Sequence, residues 1–126
     1  MLNSPVANQD TSKQKTILLA EDDPIVALDL KTQFLSFGYA LLGPFNRSSS
    51  AVEALKERRP NLAIVDYRLL DGVATALTEQ LEKLSVPYIV VTNSTRKRIE
   101  SDCRPEGIIE KPFKMSRLSE MAFDYL

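Results

Sequence analysis

A chain of 126 residues, 44% hydrophobic and 26% charged, fits one domain able to bury a core and excludes wholesale disorder. A formal net charge of −1 excludes a module held on nucleic acid by general electrostatics, because such a module carries a basic face. The single cysteine, Cys103, closes no internal disulfide, no apolar run approaches the ~20 residues of a bilayer span, and no basic start leads into an apolar secretory segment, so a reducing, cytoplasmic location without membrane contact is expected.

Residues 1–14 are polar, include Pro5 and hold neither apolar period, which predicts a disordered N-terminal tail and a folded domain over 15–126. Thr16–Ala20 is a continuous apolar run, as expected of a strand covered on both faces. Asp23 followed by Pro24 reads as a helix start, with the acid at the N-cap and proline in the first turn. Ala27, Leu30, Phe34 and Phe37 then recur at spacings of three, four and three, which predicts a helix that buries this face and stops at Gly38. A second strand is expected over Ala40–Leu42. Ser50-Ala-Val-Glu53 has the pattern of a capping box and predicts a second helix that ends before Pro60.

Leu62–Asp66 predicts the third strand, Asp71-Gly72 a turn, and Leu77, Leu81 and Leu84 a third helix ended before Pro87. Tyr88–Thr92 predicts the fourth strand. Between Thr92 and Gly107, Ile99 is the single strongly apolar residue; a helix there is expected to be short or loosely held, with Arg96-Lys97-Arg98 on a solvated face. Gly107–Ile109 predicts the fifth strand, and Met115, Leu118, Ala122 and Tyr125 mark the last helix. Such alternation implies a doubly wound α/β fold, a parallel sheet with helices on both faces and right-handed crossovers. No internal repeat and no second domain is visible.

In an open parallel sheet, ligands sit beyond the carboxyl ends of the strands. Those ends carry Glu21 and Asp22, then Asp66, Thr92 and Lys111. Carboxylates brought together repel, so a proton or a cation must accompany them. The chain has no histidine and one cysteine, which disfavours a soft metal. Oxygen ligands suit a hard ion, and Mg²⁺ takes one or two carboxylates together with water and phosphate. The acids closing the first strand are therefore read as a magnesium seat.

The segments Leu-Leu-Ala-Glu21-Asp22-Asp23, Ile-Val-Asp66-Tyr-Arg-Leu-Leu-Asp71-Gly72, Val-Val-Thr92 and Glu-Lys111-Pro112-Phe113, in this order on successive strands, resemble the response-regulator receiver domain of bacterial two-component systems. The resemblance spans about residues 15–126. It implies a five-stranded sheet in the flavodoxin-like order 2-1-3-4-5. It further implies that Asp66 is the phosphoacceptor and that Glu21, Asp22, Asp66 and the backbone carbonyl of Arg68 hold Mg²⁺. Thr92 would supply the hydroxyl that follows the phosphoryl group, Lys111 the cation that pairs with it, and the Lys111–Pro112 peptide would be cis.

The chemistry agrees with that implication. A carboxylate can attack phosphorus and form an acyl phosphate, and phosphoryl transfer needs mainly positioning and charge stabilisation. With only four glycines there is no nucleotide-cradling loop, so the donor is expected to be a phosphohistidine on a sensor histidine kinase or a histidine phosphotransfer protein. Three features depart from the receiver pattern. Ile108 stands where receivers place Tyr or Phe, Asn93 is larger than the usual residue after the threonine, and the stretch from Thr92 to Lys111 is short. Output is therefore expected through the face between Thr92 and Lys111, remodelled on phosphorylation, without a paired aromatic switch. Gly38-Tyr-Ala-Leu-Leu-Gly-Pro44 resembles the second-strand region of stand-alone receivers paired with atypical histidine kinases.

The leading reading is a stand-alone phosphoacceptor receiver, a signalling domain and not an enzyme in its own right, with no direct nucleic-acid contact and a weak homodimer through the fourth and fifth strands as a further possible contact. The alternative is a pseudo-receiver that binds partners independently of phosphorylation. A Mg²⁺-dependent phosphohydrolase with an aspartyl nucleophile ranks last, because the second acid such enzymes carry two residues after the nucleophile is here Arg68.

Overall fold

The computed structural model describes residues 14–126. The expected tail lies outside the described residues except for Gln14, whose side-chain amide donates to the Gly38 carbonyl at 2.9 Å. Five long strands, β1 (Thr16–Ala20), β2 (Ala40–Phe45), β3 (Leu62–Asp66), β6 (Tyr88–Thr92) and β7 (Gly107–Glu110), form one sheet. A two-stranded hairpin, β4 (Arg68–Leu69) and β5 (Gly72–Val73), follows β3. The sheet order is β2-β1-β3-β6-β7, all parallel, which is 2-1-3-4-5 among the long strands. Helices α1 (Pro24–Ser36), α2 (Ser48–Leu55), α3 (Thr75–Lys83), α4 (Arg96–Asp102) and α5 (Met115–Phe123) connect and cover it.

Every residue of β1, β3 and β6 is buried, because helices cover both faces and the side chains alternate between two cores. Leu18, Val65, Val90 and Ile108 point into one core with Ala51, Leu77 and Ile99 from α2, α3 and α4. Ile17, Leu19, Ile64, Ile89 and Ile109 point into the other, against Leu30 and Phe34 of α1 and Leu118 of α5. Each such aliphatic side chain contributes roughly 1.5–3 kcal/mol on burial, enough together to hold the strand ends that carry the polar residues.

Several boundaries differ from the expectation. Strand β2 runs on to Phe45: Leu18 pairs with Leu42 but Ala20 with Phe45, so the register shifts around Gly43. Gly43 has φ 100, and a Cβ there would lie 2.5 Å from the Leu19 carbonyl oxygen. Glycine alone fits that approach, and Pro44 is tolerated because β2 is an edge strand and the proline lies in its irregular stretch. In α1, Asp23 Oδ1 accepts from the Ile25 amide at 2.9 Å, as the cap reading predicts. Phe37 is not part of the buried face; it is the C-cap, 47% exposed, and its ring rests beside that of Phe123.

The capping box is not formed. Helix α2 starts at Ser48, two residues before Ser50, and its N-cap residue Arg47 makes no side-chain bond; Ser50 and Glu53 lie within the helix. Its amides are capped instead by Asp71, which the sequence suggested only as a turn. Helix α4 is short, as expected, and is held by the fully buried Ile99. Tyr125 lies beyond the end of α5 and is 36% exposed, while Leu118 and Ala122 are buried. Among the described residues no helix is long and apolar enough to cross a membrane.

Candidate functional site

The parallel sheet brings the ends of β1, β3, β6 and β7 to one rim. The β2 bulge contributes directly, since it puts the Phe45 carbonyl 2.8 Å from the Glu21 amide and fixes the chain where β1 ends. Glu21 is buried beneath the rim, and Asp22, Asp66, Arg68, Thr92 and Lys111 line a cleft of about 660 Å³ above it. The structure thus brings all six sequence-derived residues together.

Lys111 is the hub. Its ammonium donates to Asp66 Oδ2 at 3.0 Å and to Glu21 Oε2 at 3.1 Å. Glu21 Oε1 is also 3.0 Å from that nitrogen, so both oxygens of this buried carboxylate face the ammonium. Glu21, Asp22 and Asp66 each offer a carboxylate oxygen within 4.8 Å of the others. Asp66 Oδ1 accepts from the Arg68 amide at 3.2 Å. Sequence reasoning assigned Lys111 to the incoming group and missed its partnership with Glu21; ninety positions separate the two, and no local pattern signals such a pair.

The electrostatics follow from the crowding. Burial pushes the Asp66 carboxyl up from 3.8 to about 6, Glu21 beside it adds to the rise, and Lys111 opposes it. Burial and then the neighbouring Asp66 hold Asp22 above its usual range. Burial alone would lower Lys111, but its bonds to Glu21 and Asp66 more than offset this and hold the ammonium above its ordinary value.

Thr92 is buried, and its hydroxyl oxygen accepts from the Ser94 amide at 2.7 Å, which ties the rim to the start of α4. That bond was not anticipated, although hydroxyl side chains commonly take an amide two residues on. Asn93 is exposed at the mouth of the cleft. Ile108 is buried, and the Arg96 guanidinium donates to its carbonyl at 3.2 Å. Of the expected basic face, Arg96 is thus engaged through its head group, though all three side chains stay exposed. The Lys111–Pro112 peptide is cis, and so is Gly43–Pro44.

The family model described as "Response regulator receiver domain" matches residues 17–123. The chain belongs to the response-regulator receiver family. It is 32% identical over 108 residues to the phyllosphere-induced regulator PhyR of Methylorubrum extorquens, a match covering 82% of this chain and 40% of that one. The receiver protein of Sinorhizobium medicae has the same fold, with a TM-score of 0.82 at 21% identity over 90% of this chain and 95% of that one. So has the receiver domain of the sensor histidine kinase PA1611 of Pseudomonas aeruginosa, described with a magnesium ion coordinated in its active-site cleft, with a TM-score of 0.78 at 22% identity over 89% and 97%. The chain spans between 40% and 59% of the length of the curated relatives it matches. As a receiver it is a signalling domain of two-component systems.

Proposed function

We propose that this receiver accepts a phosphoryl group on Asp66 from a phosphohistidine of a sensor histidine kinase or histidine phosphotransfer protein. One observation carries the reading: the Lys111 ammonium lies 3.0 Å from an Asp66 carboxylate oxygen at an open cleft, with two further carboxylates at hand. An Asp66 oxygen attacks phosphorus, the phosphorus–nitrogen bond to the donor imidazole breaks, and an acyl phosphate results. Lys111, already held by Glu21, keeps its charge beside the reacting oxygen throughout and offsets the negative charge that arrives.

The donor set fits Mg²⁺. All three acids offer hard oxygens within 4.8 Å of one another, and no histidine competes. Asp22 and Asp66 would hold the ion with the Arg68 carbonyl, and Glu21 would orient the set; that the Pseudomonas receiver of like fold is described with magnesium in its cleft supports this. When bound, the ion supplies positive charge against the phosphoryl oxygens.

Output follows from the tethers on α4. The Ser94 amide holds the Thr92 hydroxyl near one end of the helix, and the Tyr67 hydroxyl donates to the Asp102 carboxylate at the other. Both tethers start from residues that flank Asp66 in space or in sequence. A phosphoryl group on Asp66 adds about −1.5 to −2 of charge and accepts the Thr92 hydroxyl proton; turning that hydroxyl towards Asp66 draws its oxygen away from the Ser94 amide, so α4 moves without an aromatic at Ile108. The site would act in the cytoplasm, where such donors occur.

The test is treatment with a small phosphodonor and Mg²⁺, scored by intact mass. The wild-type chain gains one phosphoryl group and Asp66→Asn gains none. No gain in the wild type would overturn the reading and favour a pseudo-receiver, for which the closed Glu21–Lys111–Asp66 ion cluster would be a binding scaffold only.

A further inference from the structure

The hairpin that follows Asp66 is fastened to another element by one side chain. At its turn, Asp71 Oδ1 accepts from the Ser48 amide at 2.8 Å and Oδ2 from the Ser49 amide at 3.1 Å. The Leu70 amide adds a bond to the Asn46 carbonyl at 2.9 Å. Because Arg47 supplies no side-chain cap, the carboxylate of Asp71 takes that place at the start of α2 from a distance of more than twenty residues in sequence. Carboxylates at a helix start are favoured twice over, by charge-assisted bonds to free amides and by the helix dipole. The Ser48 amide bond accordingly holds the Asp71 carboxyl below its ordinary range.

The other end of the same hairpin is at the cleft. Only Tyr67, Arg68, Leu69 and Leu70 separate Asp66 from Asp71. The Arg68 amide donates to Asp66 Oδ1, and the Ala74 amide closes the hairpin onto the Tyr67 carbonyl at 2.8 Å. So short a segment, tied at both ends, is placed to carry a displacement at Asp71 towards Arg68.

We propose that Asp71 is a positioning residue for divalent-ion binding: by capping α2 it locks the β4–β5 hairpin and thereby sets the Arg68 backbone beside Asp66. The inference rests on the phosphoacceptor reading for the identity of the ion. It assigns to Asp71 the part an outer partner plays in a metal site, that of orienting a ligand it does not itself replace.

The test measures Mg²⁺ affinity on the full chain by calorimetry, without phosphodonor, for the wild type, Asp71→Ala, Asp71→Asn and Ala51→Gly. Asp71→Ala weakens Mg²⁺ binding about tenfold, the scale on which orienting partners act. Asp71→Asn keeps one acceptor oxygen and falls between, and it serves alone if the alanine variant does not fold. Ala51→Gly loosens the interior of α2 without touching the latch; it lowers the melting temperature and leaves the affinity unchanged. The inference is overturned if both Asp71 variants bind Mg²⁺ as tightly as the wild type, or if Ala51→Gly loses as much affinity as they do. A wild-type chain that binds no Mg²⁺ overturns the phosphoacceptor reading along with it.

Discussion

Asp66→Asn should stabilise the metal-free protein near neutral pH. The Asp66 carboxyl ionises at about 6 in the folded chain against 3.8 ordinarily, with burial the main cause. A shift of about two units is worth about 3 kcal/mol. Because the folded value is the higher one, Asp66 contributes stability that is complete below the ordinary value and is lost as pH rises through about 6. Asparagine never ionises and so escapes that loss. It keeps one acceptor, for Lys111 or for the Arg68 amide but not both, which costs about 1 kcal/mol. The net expectation is a gain of about 2 kcal/mol at about pH 7.5, or about 8 °C in melting temperature for a chain of this length. Near pH 4.5 the gain vanishes or reverses. Circular dichroism melts in a chelating buffer at both pH values check this. Excess Mg²⁺ should close the gap by raising the wild type, since a ligand that binds only the folded state stabilises it by mass action. A variant no more stable than the wild type at the higher pH, or a gap independent of pH, would refute the account of the cleft as a site strained by its own charges.

Two further outcomes bear on α4. Thr92→Ala should still take up the phosphoryl group but lose the change in amide exchange over residues 94–104 that phosphorylation brings to the wild type, since the Ser94 amide no longer has the hydroxyl as partner; an unchanged exchange difference would show that the signal takes another route. Tyr67→Phe removes the donor from Asp102 and should cost about 1 kcal/mol, with faster exchange in metal-free protein confined to the C-terminal end of α4; a loss spread evenly over the domain would count against a local tether.

What was legible in the sequence is what the sheet makes periodic. A parallel strand covered on both faces must be continuously apolar, and the residue that ends it must lie on the common rim, so Glu21, Asp22, Asp66, Thr92 and Lys111 could be placed from order alone. The capping-box error has a different cause, competition from a residue far along the chain. Ser50-Ala-Val-Glu53 carries the local signature of a helix start, yet α2 begins earlier because Asp71 offers its amides a carboxylate that no nearby residue supplies. The spacing that marked Phe37 and Tyr125 as core is real, but the helices end before those positions reach the sheet.

The second strand is expected only over Ala40–Leu42, and Gly43 and Pro44, which follow it, are local breakers of regular structure. At the edge of a sheet a proline loses no ladder bond, and a glycine can absorb the extra residue of a bulge. The strand consequently continues, and its continuation is what delivers the Phe45 carbonyl to the Glu21 amide. The same logic applies to Ile108: composition reveals that the ring is missing, but only the fold reveals that Arg96 bonds the Ile108 carbonyl and that α4 is tied at Ser94 and Asp102. An element held at both ends by bonds that begin beside Asp66 would need no ring to respond to a charge placed there, because releasing either tether would change the balance that keeps so short a helix in place.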